Sequence, residues 1–123
     1  MPTIVHFDIA CDDPARGKKF YESLFDWELM APPGFTDYYL FETKGAGGEK
    51  GPGGGLGKRG EPSQRITAYI GVDDIDRYSE KVRKLGGSVR PKMPVPGWGW
   101  LAVCTDTEGN AFGLWQDDTS VKA

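Results

Sequence analysis

His6 is the sole histidine of the 123 residues and stands two places before Asp8 in the segment Ile4-Val5-His6-Phe7-Asp8-Ile9. Apolar and polar residues alternate there with period two, so a strand would carry His6 and Asp8 on one face and Val5, Phe7 and Ile9 on the other. An imidazole next to a carboxylate can move a proton, help to grip a cation, or line a pocket as a hydrogen-bonded pair. If Glu42, from a later strand-like segment, converged on them, one histidine and two carboxylates would make a set known at iron. Without that convergence His6 is a pocket histidine that holds no metal.

The other reactive residue types offer less. Cys11 and Cys104 lack CxxC spacing and sit in apolar, strand-like surroundings, where a free cysteine acts as a small hydrophobe. No Gly-x-Ser-x-Gly elbow links a serine to His6. Gly55-Leu56-Gly57-Lys58-Arg59-Gly60 formally matches the GxGxxG pattern, but Glu61-Pro62-Ser63 and a strand follow it instead of the helix a dinucleotide phosphate requires. Lys58 and Arg59 read as solvated loop charges.

The elements that must position these groups follow from periodicity. After the first strand, Asp13-Pro14 is an acidic N-cap with proline at the first helical position, and Phe20, Tyr21, Leu24 and Phe25 give an apolar stripe on a helix from about Pro14 to Phe25. Asp37 to Thr43 reads as a strand, and Gly45 to Gly60 as a flexible loop or a very short strand between two loops. Ile66 to Val72 is again strand-like. Asp73-Asp74 starts a second helix with Ile75, Tyr78, Val82 and Leu85 on one side, stopped by Gly86-Gly87. A Pro-rich stretch leads to a hairpin, Trp100 to Thr105 and Phe112 to Gln116, around Gly109-Asn110. Sliding the chain by 61 positions lays Ile9 on Ile70, Asp13 on Asp74, Arg16 on Arg77 and Leu24 on Leu85, an internal duplication.

Bulk properties bound the function. Fifteen basic against eighteen acidic residues leave a net charge of −3, with no basic stripe to drive nucleic-acid binding. No window is long and apolar enough to span a membrane, and no basic-then-apolar leader opens the chain, so the expected location is the cytoplasm. The length fits one domain.

The ordered set of segments resembles the vicinal oxygen chelate superfamily, the glyoxalase and bleomycin-resistance proteins with their dioxygenase relatives. His6-Phe7-Asp8-Ile9, Asp13-Pro14-Ala15-Arg16 and Phe20-Tyr21-Glu22 through Trp27-Glu28 are similar to the first module of that family. Val72-Asp73-Asp74-Ile75, Leu85-Gly86-Gly87, Val95-Pro96-Gly97 and Asp106 through Trp115 are similar to the second. The resemblance implies an α+β fold, a single domain over residues 1–123 built from two βαβββ modules (about 3–60 and 64–118). Together they would form a cupped mixed sheet with the helices outside. It also implies four positions at which metal-dependent members place His or Glu. Here they fall on His6, Gly55, Thr67 and Gly113, so only the first carries a ligand-type side chain and no cofactor is expected. The implied pocket is lined by His6, Asp8, Tyr39, Thr67, Tyr69, Trp100 and Trp115, with Trp98 nearby, an apolar box for a small apolar or aromatic molecule. A homodimer is expected. Two alternatives stand beside this: a divalent-metal lyase, isomerase or dioxygenase, and an interaction module whose aromatics serve assembly and whose pocket is vestigial.

Overall fold

In a computed structural model, which describes residues 2–122, the nine-residue strand β1 (Thr3–Cys11) runs through Asp12-Asp13 into helix α1 (Pro14–Phe25). Asp13 is extended (φ −129°, ψ 96°) and its carboxylate accepts the Arg16 N–H at 3.2 Å. Pro14 follows at a helical position that has no partner for an N–H. Sixty-one residues later the same device recurs: Asp74 (φ −144°, ψ 98°) accepts the Arg77 N–H at 3.1 Å and opens α2 (Ile75–Lys84). The duplication read from sequence is therefore a repeated local geometry, with a side chain satisfying a first-turn donor in each copy.

The chain forms two compact units, one of residues up to Val5 together with those from Ala68 onward, the other His6–Thr67. These bounds differ from module limits at 3–60 and 64–118 because β1 serves both. Its first residues go with the later unit, where a Cβ on Gly71 would come within 2.9 Å of Val5 Cγ1.

Within His6–Thr67, β3 (Gly53–Lys58) lies between β1 and β2 (Tyr38–Phe41), which settles the glycine-rich segment as a short strand between loops. It runs parallel to β1, with His6 opposite Gly53 and Asp8 opposite Gly55, and antiparallel to β2, with Tyr38 opposite Gly57 and Leu40 opposite Gly55. The first module is abbreviated: where a further strand is expected, a single bridge joins Met30 to Leu40. Leu29, Phe41 and Leu56 form the core of this unit, with Trp27 stacked between Phe41 (4.6 Å) and Tyr21 (5.6 Å). The α1 stripe differs from expectation. Only Tyr21 packs inward, while Phe20, Leu24 and Phe25 are each more than half exposed, because Pro14, Gly17 and Tyr21 are the residues that turn toward the sheet.

The later unit holds β4 (Ile66–Gly71) from Ala68 onward, with α2, β5 (Ser88–Val89), β6 (Met93–Val95), β7 (Gly99–Thr105) and β8 (Ala111–Asp117), in the order β4-β8-β7-β5 and with β6 also on β7. The short strands β5 and β6 arise in the stretch whose prolines read as irregular. Ile75, Ala102, Cys104 and Leu114 are its buried centre, flanked by Val72, Tyr78, Val82 and Trp100. Leu85 leaves the predicted stripe: it caps α2 and is 76% exposed, and Gly86 (φ 96°) then ends the helix. Parallel and antiparallel pairings coexist in both units, so with two helices the class is α+β.

Between β7 and β8, Asp106 organises the turn. Its Oδ1 accepts the N–H groups of Glu108 (2.8 Å) and Asn110 (2.9 Å), its Oδ2 accepts Asn110 Nδ2 (3.1 Å), and Gly109 supplies φ 83°. The Asn110 and Glu108 N–H groups hold its carboxyl below the usual carboxylate range. A pKa depressed in the folded state adds stability that is present above the unfolded value and lost as pH falls through it. Asp106→Ala is thus expected to lower the urea midpoint at neutral pH, with the gap from wild type beginning to close below about pH 4, where the unfolded carboxylate takes up its proton first, and gone once the folded carboxylate is protonated too. Asp74→Ala, which removes the α2 cap, is expected to cost about 1 kcal/mol in the same urea titration.

Candidate functional site

Strand β1 presents His6 and Asp8 on one face, and β2 brings Tyr38 to them across β3. His6 Nε2 lies 2.8 Å from Asp8 Oδ1, the Tyr38 hydroxyl donates to the same oxygen at 2.8 Å, and Nε2 and the hydroxyl are 3.2 Å apart. An ionised carboxylate can only accept, so in this contact the imidazole donates from Nε2. His6 and Asp8 keep 29% and 27% of their side-chain surface, sheltered but within reach of a ligand.

This closure depends on two residues having no side chain. The Tyr38 ring lies over β3, where a Cβ on Gly57 would stand 2.7 Å from Tyr38 Cδ1 and one on Gly55 would overlap its hydroxyl and come within 2.6 Å of Asp8 Oδ1. The Phe35 ring lies beside that of Tyr38, tilted by 40° with centroids 5.8 Å apart. Sequence parity offered a signal for Tyr38 that the reading missed. Phe41 is a core residue, so Tyr39 shares its face and Tyr38 and Leu40 take the other.

Tyr39 is accordingly corrected. It packs toward Leu29, Phe41 and Leu56 with Lys18 over its ring at 5.6 Å, away from His6. Trp100 is corrected on the same ground: it shares the face of Ala102 and Cys104, packs against the α2-side core and lies under Lys92 at 4.6 Å. Thr67, the last residue of the earlier unit, is buried at 6% exposure; in the later unit Tyr69 is buried at 8% and fills the space over Gly113, where a Cβ would stand only 2.9 Å from Tyr69 Cγ. Trp115 is half-buried with Nε1–H donating to Asp117 Oδ1 at 2.7 Å, and Trp98 is half exposed. Glu42 is exposed, and among the described residues no three His, Cys, Asp or Glu side chains come together, so the one-histidine, two-carboxylate set does not form.

The fit to a divalent cation can be judged from these contacts. Of the four positions named by the resemblance, Gly55 and Gly113 have no donor and the space beside each is taken by a tyrosine, while Thr67 offers a neutral hydroxyl. Coordination through His6 Nε2 would have to replace its bond to Asp8. These residues do not fit a four-ligand metal site.

The repeated strand–helix–strands unit is the one the resemblance to the vicinal oxygen chelate superfamily implies. The profile of the glyoxalase-like domain family matches residues 4–115, and the chain belongs to that family. A putative glyoxylase of Mycobacterium tuberculosis is 34% identical over 94% of this chain and 46% of its own length. An anthracycline biosynthesis protein of Streptomyces peucetius is 30% identical over 89% and 45%. The chain spans about half the length of these curated relatives. A glyoxylase-like domain-containing protein of Didymella fabae is 31% identical over 87% of this chain and 88% of its own. Among solved structures, a methylmalonyl-CoA epimerase in complex with methylmalonyl-CoA superposes over 100% of this chain with TM-score 0.71 at 15% identity, and one from Streptomyces coelicolor over 98% with 0.70. That likeness shows the glyoxalase fold.

The steric argument is testable. Gly55→Ala is expected to cost about 1–3 kcal/mol of unfolding free energy by overpacking. In a Tyr38→Ala background the same substitution is expected to cost much less, a coupling that a double-mutant cycle in urea would read.

Proposed function

We propose that this chain is a metal-independent small-molecule-binding module of the glyoxalase-like family, its ligand held on the face where His6, Asp8 and Tyr38 meet. The observation that carries the reading is Tyr38 lying over Gly55 and Gly57, with its hydroxyl bonded to Asp8. Where metal-dependent members of the superfamily place a second ligand, this chain holds a phenol. The preferred ligand is a planar, largely apolar molecule with one polar group. Supporting this are the aromatic rings of Phe35 and Tyr38, which offer flat apolar surface, and the His6–Asp8 pair, which can anchor a hydroxyl or carbonyl. The relative assigned to anthracycline biosynthesis, whose products are fused-ring aromatics, points the same way.

No helix among the described residues is long and apolar enough to cross a membrane, and both cysteines are free thiols, which suits the reducing cytoplasm. The longer relatives carry about as much chain again, and a second copy of this chain in a homodimer would supply the equivalent.

Anthraquinone-2-sulfonate is a soluble planar probe. Wild-type protein is expected to bind it saturably, read by quenching of aromatic fluorescence, and Tyr38→Ala to weaken it at least several-fold. Metal analysis of the purified protein by mass spectrometry is expected to find substoichiometric metal. Stoichiometric nickel, zinc, manganese or iron lost on His6→Ala, or unchanged quenching in Tyr38→Ala, would sink the proposal. Sedimentation velocity tests the dimer, and a lone monomer boundary at high protein concentration overturns it.

A further inference from the structure

The two repeats differ in what their helices show to solvent. On α1, Phe20, Leu24 and Phe25 are each more than half exposed. Their rings do not stand apart: Phe20 meets Tyr21 edge-on at 5.2 Å, and Tyr21 stacks on Phe25 at 6.4 Å. Leu24 follows Phe20 by one turn and completes a continuous apolar surface. In the 61-residue register Lys81 of α2 stands where Phe20 does, its ammonium 5.1 Å from the centroid of the Tyr78 ring. Leu85 matches Leu24 and is exposed too, but with that lysine one turn before it in place of a ring. One aromatic side chain carries ~150–250 Å². The exposed side chains of α1 therefore leave on the order of 300 Å² of apolar surface uncovered, a size at which a patch on a single chain is often functional.

The charges of α1 also run against its own dipole. A helix N-terminus favours acidic groups and its C-terminus basic ones. Helix α2 obeys, with Asp76 in its first turn and Lys81, Arg83 and Lys84 in its last. Beyond its Asp13 cap, α1 has no acidic residue in its first turn and no basic residue in its last. Arg16, Lys18 and Lys19 lie in its first half, Glu22 in its second, and Asp26 and Glu28 follow it. Lys18 and Glu22 pair with each other at 3.1 Å. Arg16, Lys19, Asp26 and Glu28 are exposed and form no ion pair among the described residues.

We propose that the exposed face of α1 seats a second copy of this chain, the two helices lying antiparallel across a twofold axis with Phe20 of each against Leu24 of the other. The inference rests on the homodimer proposed above and says where its interface lies. Arg16, Phe20 and Leu24 are spaced by four and form one ridge, which an axis midway between Phe20 and Leu24 lays on its own copy in reverse. Arg16 and Lys19 then meet the acidic end of the other helix, at its Asp26 and Glu28. Each helix N-terminus thereby gains the negative groups that its own first turn lacks. A parallel pairing would set like charges together. A standard interface buries about 800 Å² per partner, so the apolar patch forms its centre and these four charges part of its rim.

Sedimentation velocity of the full chain reads the association state. Wild type is expected to run as a dimer. Phe20→Lys, which takes the other repeat's residue at an exposed position, is expected to run as a monomer with unchanged far-UV circular dichroism. Arg16→Glu with Lys19→Glu leaves both ends of α1 acidic, and Asp26→Asn with Glu28→Lys leaves both ends basic. Asparagine is chosen at 26 because it tolerates the left-handed backbone there (φ 59°). Each pair alone is expected to weaken the dimer at least ten-fold, and an equimolar mixture of the two to restore it as a heterodimer. With wild type dimeric, a dimer that survives Phe20→Lys, or two charge variants that fail to associate on mixing, overturns this interface and leaves the homodimer standing. A wild-type monomer at high concentration overturns both. If Phe20→Lys does not fold, the mixing experiment decides alone.

Discussion

A strand with five residues out of six lacking a useful apolar side chain has to be held by its neighbours. In β3 the glycines at 53, 54, 55 and 57 contribute only backbone, and the surface they leave bare is covered by rings from β2: Phe41 on the core side and Tyr38 on the other. Glycine costs conformational entropy in a strand and gives nothing to pack, so the arrangement persists because the rings approach the backbone more closely than any side chain would permit. The His6–Asp8–Tyr38 cluster is a product of that approach. The phenol reaches the carboxylate only by crossing a strand with nothing standing in its way.

The same logic recurs once in the later unit, where Tyr69 fills the place beside Gly113. In both places a tyrosine ring takes the space that a side chain on the facing glycine would need, and the strand order is unaffected. The fold itself is shared at 15% identity with epimerases solved in complex with CoA esters, and a fold of this kind does not fix the chemistry.

Much of the architecture was legible in the sequence, because caps and turns are local. Asp13 and Asp74 announce both helices, Gly86 ends the second, and Asp106 with Gly109 makes the hairpin. His6 and Asp8 were readable as one face from period two alone. What escaped was parity in short or aromatic runs. In Tyr38-Tyr39-Leu40-Phe41 all four residues are apolar enough for either side, and only the burial of Phe41 decides that Tyr38 meets His6. Trp100 was misplaced for a related reason: its face is set by Ala102 and Cys104, whose small size conceals their burial from a pattern search. On α1 the stripe of Phe20, Leu24 and Phe25 has helical spacing but the wrong phase, because the inward position at Gly17 has no side chain to announce it.

Leu56 is the one large side chain of β3 and is wholly buried. Sliding strands past each other is normally resisted by a row of mismatched side chains. Here a two-residue shift in either direction would bring another glycine to the places of Gly53 and Gly55, but would draw Leu56 from its seat between Leu29 and Phe41. Alignment of the parallel β1–β3 ladder is thereby entrusted to a single aliphatic peg, with the tyrosine across the opposite face as its latch.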